Sequence, residues 1–274
     1  MKNSNEIEIS QHLKNLDAYG YTQISGYLAP DVKNKARELM LNNYSEVTNV
    51  ELNGRPARDK LDKLVYNLQN IDPFFIDLLV DPFIKSILMA KLNDPYYRFL
   101  PPDTPNYILN YYNARSSGLA LDLHIDSQVP NPGEFTWAMQ VVFMLDDMNE
   151  ENGCTVVVPG SHLSGRYTDR EFMNVKHLNA KAGDLVIWDS RLWHGTTENK
   201  TGAARWALIA TMTQWWVKQS MDITRSLPED IYQKLSNEQK ALLGFCSIPP
   251  VDDKIRINTK CGYDFLKPSV KDYY

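Results

Sequence analysis

The sequence predicts a mainly β protein with flanking helices, built on a double-stranded β-helix of the jelly-roll, cupin-like type. Two observations predict it. From about residue 106 the chain becomes a succession of short segments rich in Val, Ile, Tyr, Trp and Thr, each bounded by Gly, Pro, Asn or Asp. Before and after that stretch, apolar residues recur at spacings of three and four. Seven or eight such strands fit two packed sheets better than a parallel sheet with crossover helices. With 274 residues and 43% hydrophobic residues, the chain can bury that core as one domain. Its parts are a mainly helical 1–104, a β core over 105–217, and helices and a tail over 218–274.

In chain order, the first helical face carries Val32, Ala36, Leu39 and Met40, and a later one carries Phe75, Leu78 and Leu79. Pro30, Pro73 and Pro82 stand where a first helical residue needs no N–H donor, and Asp72 and Asp81 precede the last two as N-caps. A short strand, YGYTQI, precedes Pro30. The core strands are YILNYYN, LALDLHID, FTWAMQVVFML, CTVVVP, VKHLN, DLVIWD and RWALIATMTQWWV. Beyond Val217 come the helical segments SLPEDIYQKL and SNEQKALLG. Ser236 and Gln239 form a capping box in the second, and Gly244 ends it. The remaining tail has no clear periodicity and is expected to cover the barrel mouth or to pack on another subunit.

The net charge of −5 is evenly mixed, so nucleic acid and anionic membranes are not expected partners, and a small molecule is. The leading MKNSNEIEIS is too polar for a secretory signal, and no apolar run approaches the roughly 20 residues of a membrane span. A cytoplasmic location is the expectation; oligomeric state has no signal. Cys154, Cys246 and Cys261 are odd in number and widely spaced, which argues against both a disulfide framework and a zinc cluster.

The stretch LHIDSQ, Leu123 to Gln128, carries the chemistry. A His-x-acid pattern is expected roughly 0.6 times by chance in this composition, so alone it is weak. A second histidine, His194, lies 68 residues after Asp126 in DSRLWHGTT. Two imidazoles and a carboxylate form the facial triad of non-haem Fe(II) oxygenases, which leaves open positions on the metal. Residues i and i+2 of a strand share a face, so His124 and Asp126 can reach one ion while His194 closes the site from a neighbouring strand. Arg205 follows His194 by 11 residues, at the start of an apolar strand, where its guanidinium needs an anion such as the distal carboxylate of 2-oxoglutarate. Thr196, two residues past His194, is placed by strand alternation to bond the same group.

These residues, with FMLDDMNEENGCTVVVPGSH from Phe143 to His162 and GDLVIWDSRLWHGTTEN, resemble the phytanoyl-CoA dioxygenase family over about residues 105 to 217. The resemblance implies a double-stranded β-helix, Fe(II) on His124, Asp126 and His194, 2-oxoglutarate on Arg205 and Thr196, and dioxygen as the oxidant. Related halogenases have a small residue in place of the metal carboxylate. Asp126 therefore points to hydroxylation, or another oxidation such as desaturation or ring formation. A cupin-like metal-dependent isomerase or binding protein that does not use 2-oxoglutarate is the alternative, and a non-catalytic scaffold a second.

Polar residues in apolar runs need partners when buried, which makes Gln140 and Asn110 candidates for the co-substrate pocket. Ser127, Gln128, Trp137 and Arg191 are candidates for substrate contact, and SQVPNPGEF and SGRYTDREFMN read as lids. Arg115 and Arg166 read as surface residues, Trp215 and Trp216 as core and rim, His162 as a loop-packing residue, and His12 and His177 as ordinary histidines. Asp146 and Asp147 read as turn caps.

Overall fold

The computed structural model describes residues 9–45, 60–166, 174–250, 252, 254 and 261–274. The helices of the first part are α1 (Ile9–Tyr19), α2 (Pro30–Asn42), α3 (Pro73–Leu79) and α4 (Pro82–Leu92). Each expected proline opens its helix, and the Asp72 and Asp81 carboxylates accept from the Phe74 and Phe83 N–H groups at 2.8 and 3.0 Å. The strands are β1 (Tyr21–Ile24), β2 (Lys63–Val65), β3 (Tyr107–Ser116), β4 (Leu121–His124), β5 (Ala138–Met144), β6 (Thr155–Val157), β7 (Lys176–Leu178), β8 (Leu185–Asp189), β9 (His194–Thr196) and β10 (Ala207–Gln214).

They form two sheets, ordered β1-β8-β5-β10-β3-β2 and β4-β9-β6-β7, with every pairing antiparallel. This is the expected double-stranded β-helix: along the core the chain passes between the sheets at each step from β3 to β6 and from β7 to β10, with β6 and β7 a hairpin within the small sheet. One strand has no counterpart in the sequence reading. β2, within the part read as helical, extends the large sheet by pairing with β3.

The large sheet is apolar on both faces, for different reasons. Its outer face, including Leu109, Tyr112, Val141, Phe143, Leu208 and Ala210, packs with Phe75, Leu79, Phe83 and Leu88 of the helices in one cluster. Its inner face meets the small sheet through Val142, Met144, Val186, Trp188 and Ala207 against Cys154, Val157 and Leu178. Strands covered on both sides read as continuous apolar runs, as AMQVVFM does.

The C-terminal part is more broken than expected. A short helix, α5 (Ile223–Ser226), ends where SLPEDIYQKL begins, because Pro228 cannot continue it, and that segment itself holds only α6 (Glu229–Tyr232). Helix α7 (Asn237–Leu242) carries the Ser236–Gln239 capping box, and the chain leaves it through Gly244 at φ +98°. Among the described residues no helix is long and apolar enough to cross a membrane.

Candidate metal centre

His124, the last residue of β4, and His194, the first of β9, are Cα partners in the small sheet. Their rings are 4.4 Å apart. The chain turns immediately after His124, so Asp126 does not lie on the strand as expected, yet its carboxylate still reaches both imidazoles. Oδ1 lies 3.6 Å from His124 Nε2 and Oδ2 3.4 Å from His194 Nε2. One ligand atom from each residue falls within 4.8 Å of the other two.

The imidazoles are oriented for a metal. His124 Nδ1 lies 2.8 Å from the Asp122 carbonyl oxygen and His194 Nδ1 2.9 Å from that of Leu192. A carbonyl only accepts, so each Nδ1 carries the proton and each Nε2 turns its lone pair toward Asp126. Burial pushes the Asp126 carboxyl upward, but His194, His124 and the nearby Trp188 indole together hold it below its ordinary value. Burial lowers His194, and the Asp126 carboxylate raises His124.

Gly195, between the β9 residues His194 and Thr196, lets the two strands approach. A Cβ there would stand 2.4 Å from the Leu121 carbonyl oxygen.

Arg205 lies just before β10 and is only 7% exposed. Its described hydrogen bonds are a long one from Nε to the Asn152 carbonyl at 3.4 Å and one from its backbone N–H to Ser116 Oγ. No carboxylate among the described residues forms an ion pair with it. Burial lowers its pKa to about 10. A buried cation without a counter-charge is costly, and the site therefore asks for an anion. Thr196 Oγ1 is also buried, with no hydrogen bond among the described residues. The strand pairs with Thr155, whose neighbour Cys154 is close enough to feel the Arg205 charge.

On the facing large sheet, Tyr111, Thr211, Gln140 and Trp188 form one transverse row. Thr211 Oγ1 donates to Gln140 Oε1 at 2.7 Å, and Gln140 Nε2 is buried beside the Tyr111 hydroxyl. The Tyr111 hydroxyl joins this pair; burial first, and then the Asp126 charge, raise its pKa. The row thus faces the triad. Gln140 was legible in the sequence, but Tyr111, Thr211 and Trp188 were not singled out.

Asn110 serves the backbone instead. The β3–β10 register shifts between Thr211 and Met212, where Tyr111 and Leu109 are the successive partners, so Asn110 is the extra residue of a bulge. Its amide is used by the chain after β10, donating to the Lys218 carbonyl and accepting from Ser220 N–H at 3.4 and 3.1 Å. It is not brought into the triad row.

The substrate candidates separate. Arg191 is buried in an ion pair with Asp189 and also donates to Thr136 Oγ1 and to the Asn131 and Gly133 carbonyls. It is therefore an anchor for the 127–135 segment, which it pins to the barrel, and has no free donor face for an anion. Ser127 is buried, with its hydroxyl on the Val129 carbonyl and its N–H on Ser190. Gln128 is exposed in the left-handed region at φ 59°. Trp137 is half-buried at the start of the β5 segment. Of the second expected lid, residues 167–173 lie outside the described residues.

The other polar residues behave as local structure. Asp146 takes Arg37 and the Trp206 N–H, and Asp147 takes Lys181 and the Ala182 N–H. His177 pairs with Glu150 at 2.9 Å, and His12 bonds Thr22 at 2.8 Å. The three cysteines are free thiols.

A two-histidine, one-carboxylate cluster on a double-stranded β-helix is the ligand set found in mononuclear non-haem Fe(II) oxygenases. Residues 16–207 match the phytanoyl-CoA dioxygenase (PhyH) family, and the chain belongs to that family, whose metal and co-substrate are Fe(II) and 2-oxoglutarate. Dioxygenase af480 of Aspergillus fumigatus is 30% identical over 193 residues, 67% of this chain and 59% of that protein. A Mycobacterium bovis protein is 26% identical over 192 residues, 66% of each chain. The chain thus spans about three-fifths to two-thirds of the length of these relatives. Among solved structures, HygX from Streptomyces hygroscopicus, with nickel and 2-oxoglutarate bound, superposes at a TM-score of 0.61 with 16% identity, covering 76% of this chain and 88% of its own. The carbocyclase SnoK from nogalamycin biosynthesis does so at 0.59 with 16% identity over 78% and 86%. At that identity these two share the fold.

Proposed function

We propose that the protein oxidises an unactivated C–H bond of a small metabolite or biosynthetic intermediate, most simply by hydroxylation, with 2-oxoglutarate converted to succinate and carbon dioxide. The observation that carries this reading is Arg205, a buried guanidinium with no carboxylate partner among the described residues, in the same barrel as the triad.

His124 and His194 would bind Fe(II) through Nε2, and Asp126 through its carboxylate. Fe(II) with 2-oxoglutarate supplies the activation of dioxygen, and the protein supplies placement. Arg205 would pair with the distal carboxylate of 2-oxoglutarate, and Thr196 Oγ1 would donate to it. The Gln140 amide and the Tyr111 hydroxyl stand on the row that faces the triad and would line the co-substrate pocket. The Asp122 and Leu192 carbonyls hold the two imidazoles in one tautomer, so the site needs no proton rearrangement to accept the metal. The carboxylate of Asp126 favours hydroxylation over halogen transfer, because the position it occupies on the metal is then closed to halide.

The test is succinate formation with Fe(II) and 2-oxoglutarate each withheld in turn. Strict dependence on both is expected, with loss of turnover in His124→Ala and Asp126→Ala. Metal binding without any 2-oxoglutarate consumption would instead support the cupin-like reading.

A further inference from the structure

A cavity of about 1370 Å³ lies among the chain before β3, the chain after β10 and the segment following α7. No triad residue lines it; it lies beyond the strand ends nearest the triad. The two strands pair antiparallel, so the start of β3 (Tyr107) and the end of β10 (Gln214) lie together. The start of β5 joins them through Ala138 opposite Thr213. That point is tied to the triad loop, because Ser190 N–H donates to the Ala138 carbonyl and Ser127 N–H to the Ser190 carbonyl. Ile108, opposite Thr213 in the ladder, lines the cavity next to the Tyr111–Thr211–Gln140 row.

The cavity wall is aromatic. Trp215 lies over Tyr97 with centroids 4.4 Å apart and planes at 31°, and Tyr97 meets the edge of Phe99 at 5.9 Å. The wall is also held in place. Asp94 fixes the Trp215 indole N–H at 3.0 Å, Asn110 ties down Lys218 and Ser220, and Gln219 donates to the Leu109 and Leu243 carbonyls at 2.6 and 3.1 Å.

The charges of the wall differ in how they are held. Asp94 accepts from the Trp215 indole and the Tyr96 N–H, and Asp222 accepts through Oδ1 from Arg225 N–H and Thr224 Oγ1, so both carboxylates keep their charge but are fixed to the wall. The exposed Arg98 and Lys218 side chains have no hydrogen bond or ion pair among the described residues. A rigid aromatic wall rimmed by two unspent cations suits a flat, negatively charged ligand. The volume exceeds the roughly 300–1,000 Å³ of ordinary ligand pockets, so an amino-acid-sized substrate would leave it mostly filled with water.

We propose that this cavity is the primary-substrate site and that the substrate is an extended aromatic or polycyclic molecule bearing an anionic group, its ring system on Trp215 and Trp216 and its anion on Arg98 and Lys218. The proposal rests on the oxygenase reading for its chemistry, but its binding can be measured without it.

The probes are 8-anilinonaphthalene-1-sulfonate, which is aromatic and anionic, and N-phenyl-1-naphthylamine, its neutral analogue, titrated by fluorescence into the full-length protein. One saturable site is expected for each. The double variant R98E/K218E should weaken sulfonate binding about tenfold, the effect of two exposed charges together, and leave the neutral probe within about twofold. Trp216→Ala should weaken both. Equal sulfonate affinity in wild type and R98E/K218E, or the lack of a saturable site, overturns the proposal. Substrate-free succinate formation, measured on the same samples, separates the two readings. Normal succinate formation without probe binding overturns only the substrate site. Probe binding as described without succinate formation overturns only the oxygenase.

Discussion

His124 and His194 face each other across the β4–β9 ladder as Cα partners, with their rings 4.4 Å apart and Asp126 bridging between them. The pair is set by backbone hydrogen bonding and not by loop placement. Binding of Fe(II), or of Mn(II) as an inert substitute, should therefore raise Tm without large rearrangement, and His194→Ala should abolish that increase. Thermal melts under anaerobic conditions check this; an unchanged metal-induced shift in His194→Ala would remove it from the ligand set.

Arg205 should reveal its role through opposite effects on stability and on co-substrate binding. With no carboxylate partner among the described residues, its burial disfavours the folded state, so Arg205→Met is expected to be neutral or to stabilise by about 1–3 kcal/mol in the absence of ligand. The same variant should raise the KM for 2-oxoglutarate by at least about tenfold, the weight of a charge-assisted hydrogen bond. Urea denaturation alongside kinetics at varied 2-oxoglutarate measures both.

Arg191 should behave oppositely. Its pair with Asp189 is buried, so Arg191→Ala leaves an uncompensated carboxylate and is expected to cost about 3–5 kcal/mol. The 127–135 segment should become protease-sensitive in that variant. Arg191→Ala with native stability and a selective loss of substrate affinity would return Arg191 to the substrate site.

Gly195→Ala should displace β9 from β4, because the new Cβ meets the Leu121 carbonyl at 2.4 Å. Metal affinity should fall about tenfold or more as His194 is shifted, the scale of a lost orienting contact. Isothermal titration with Mn(II) reports the change, and the Thr213→Ser variant, away from this strand pair, serves as the folded control.

His162 links stability to pH. Burial holds its pKa below 6.5, and its Nδ1 has no partner among the described residues. Below pH 6.5 the unfolded chain takes up a proton that the folded ring still refuses, so stability falls with falling pH from that point until the folded pKa is passed. His162→Gln removes this contribution. Its urea midpoint should fall less than that of the wild type between pH 7.5 and 5; identical slopes would show that His162 does not titrate differently on folding.

The sequence carried the fold class and the residues that cluster in the candidate metal centre because both depend on local patterns. Short β-rich segments punctuated by turn residues specify strands, proline and aspartate specify the helix starts of α3 and α4, and His124, Asp126, His194 and Arg205 sit at readable separations. The Asp126 carboxylate also lies beside His124 and His194 as expected, although the chain turns before reaching it.

Only the tertiary structure decided which neighbours those residues meet. One bulge residue, Asn110, breaks the alternation of β3, so the polar residue that its apolar run singled out ties down the segment after β10, and Tyr111 faces the triad instead. Arg191 and Arg205 are both arginines near His194 in sequence, and nothing local separates them. One folds against Asp189 and is spent on structure, while the other is buried with its charge unpaired among the described residues. The difference is electrostatic and long-range: it depends on what the strands bring alongside each guanidinium, which no spacing along the chain encodes.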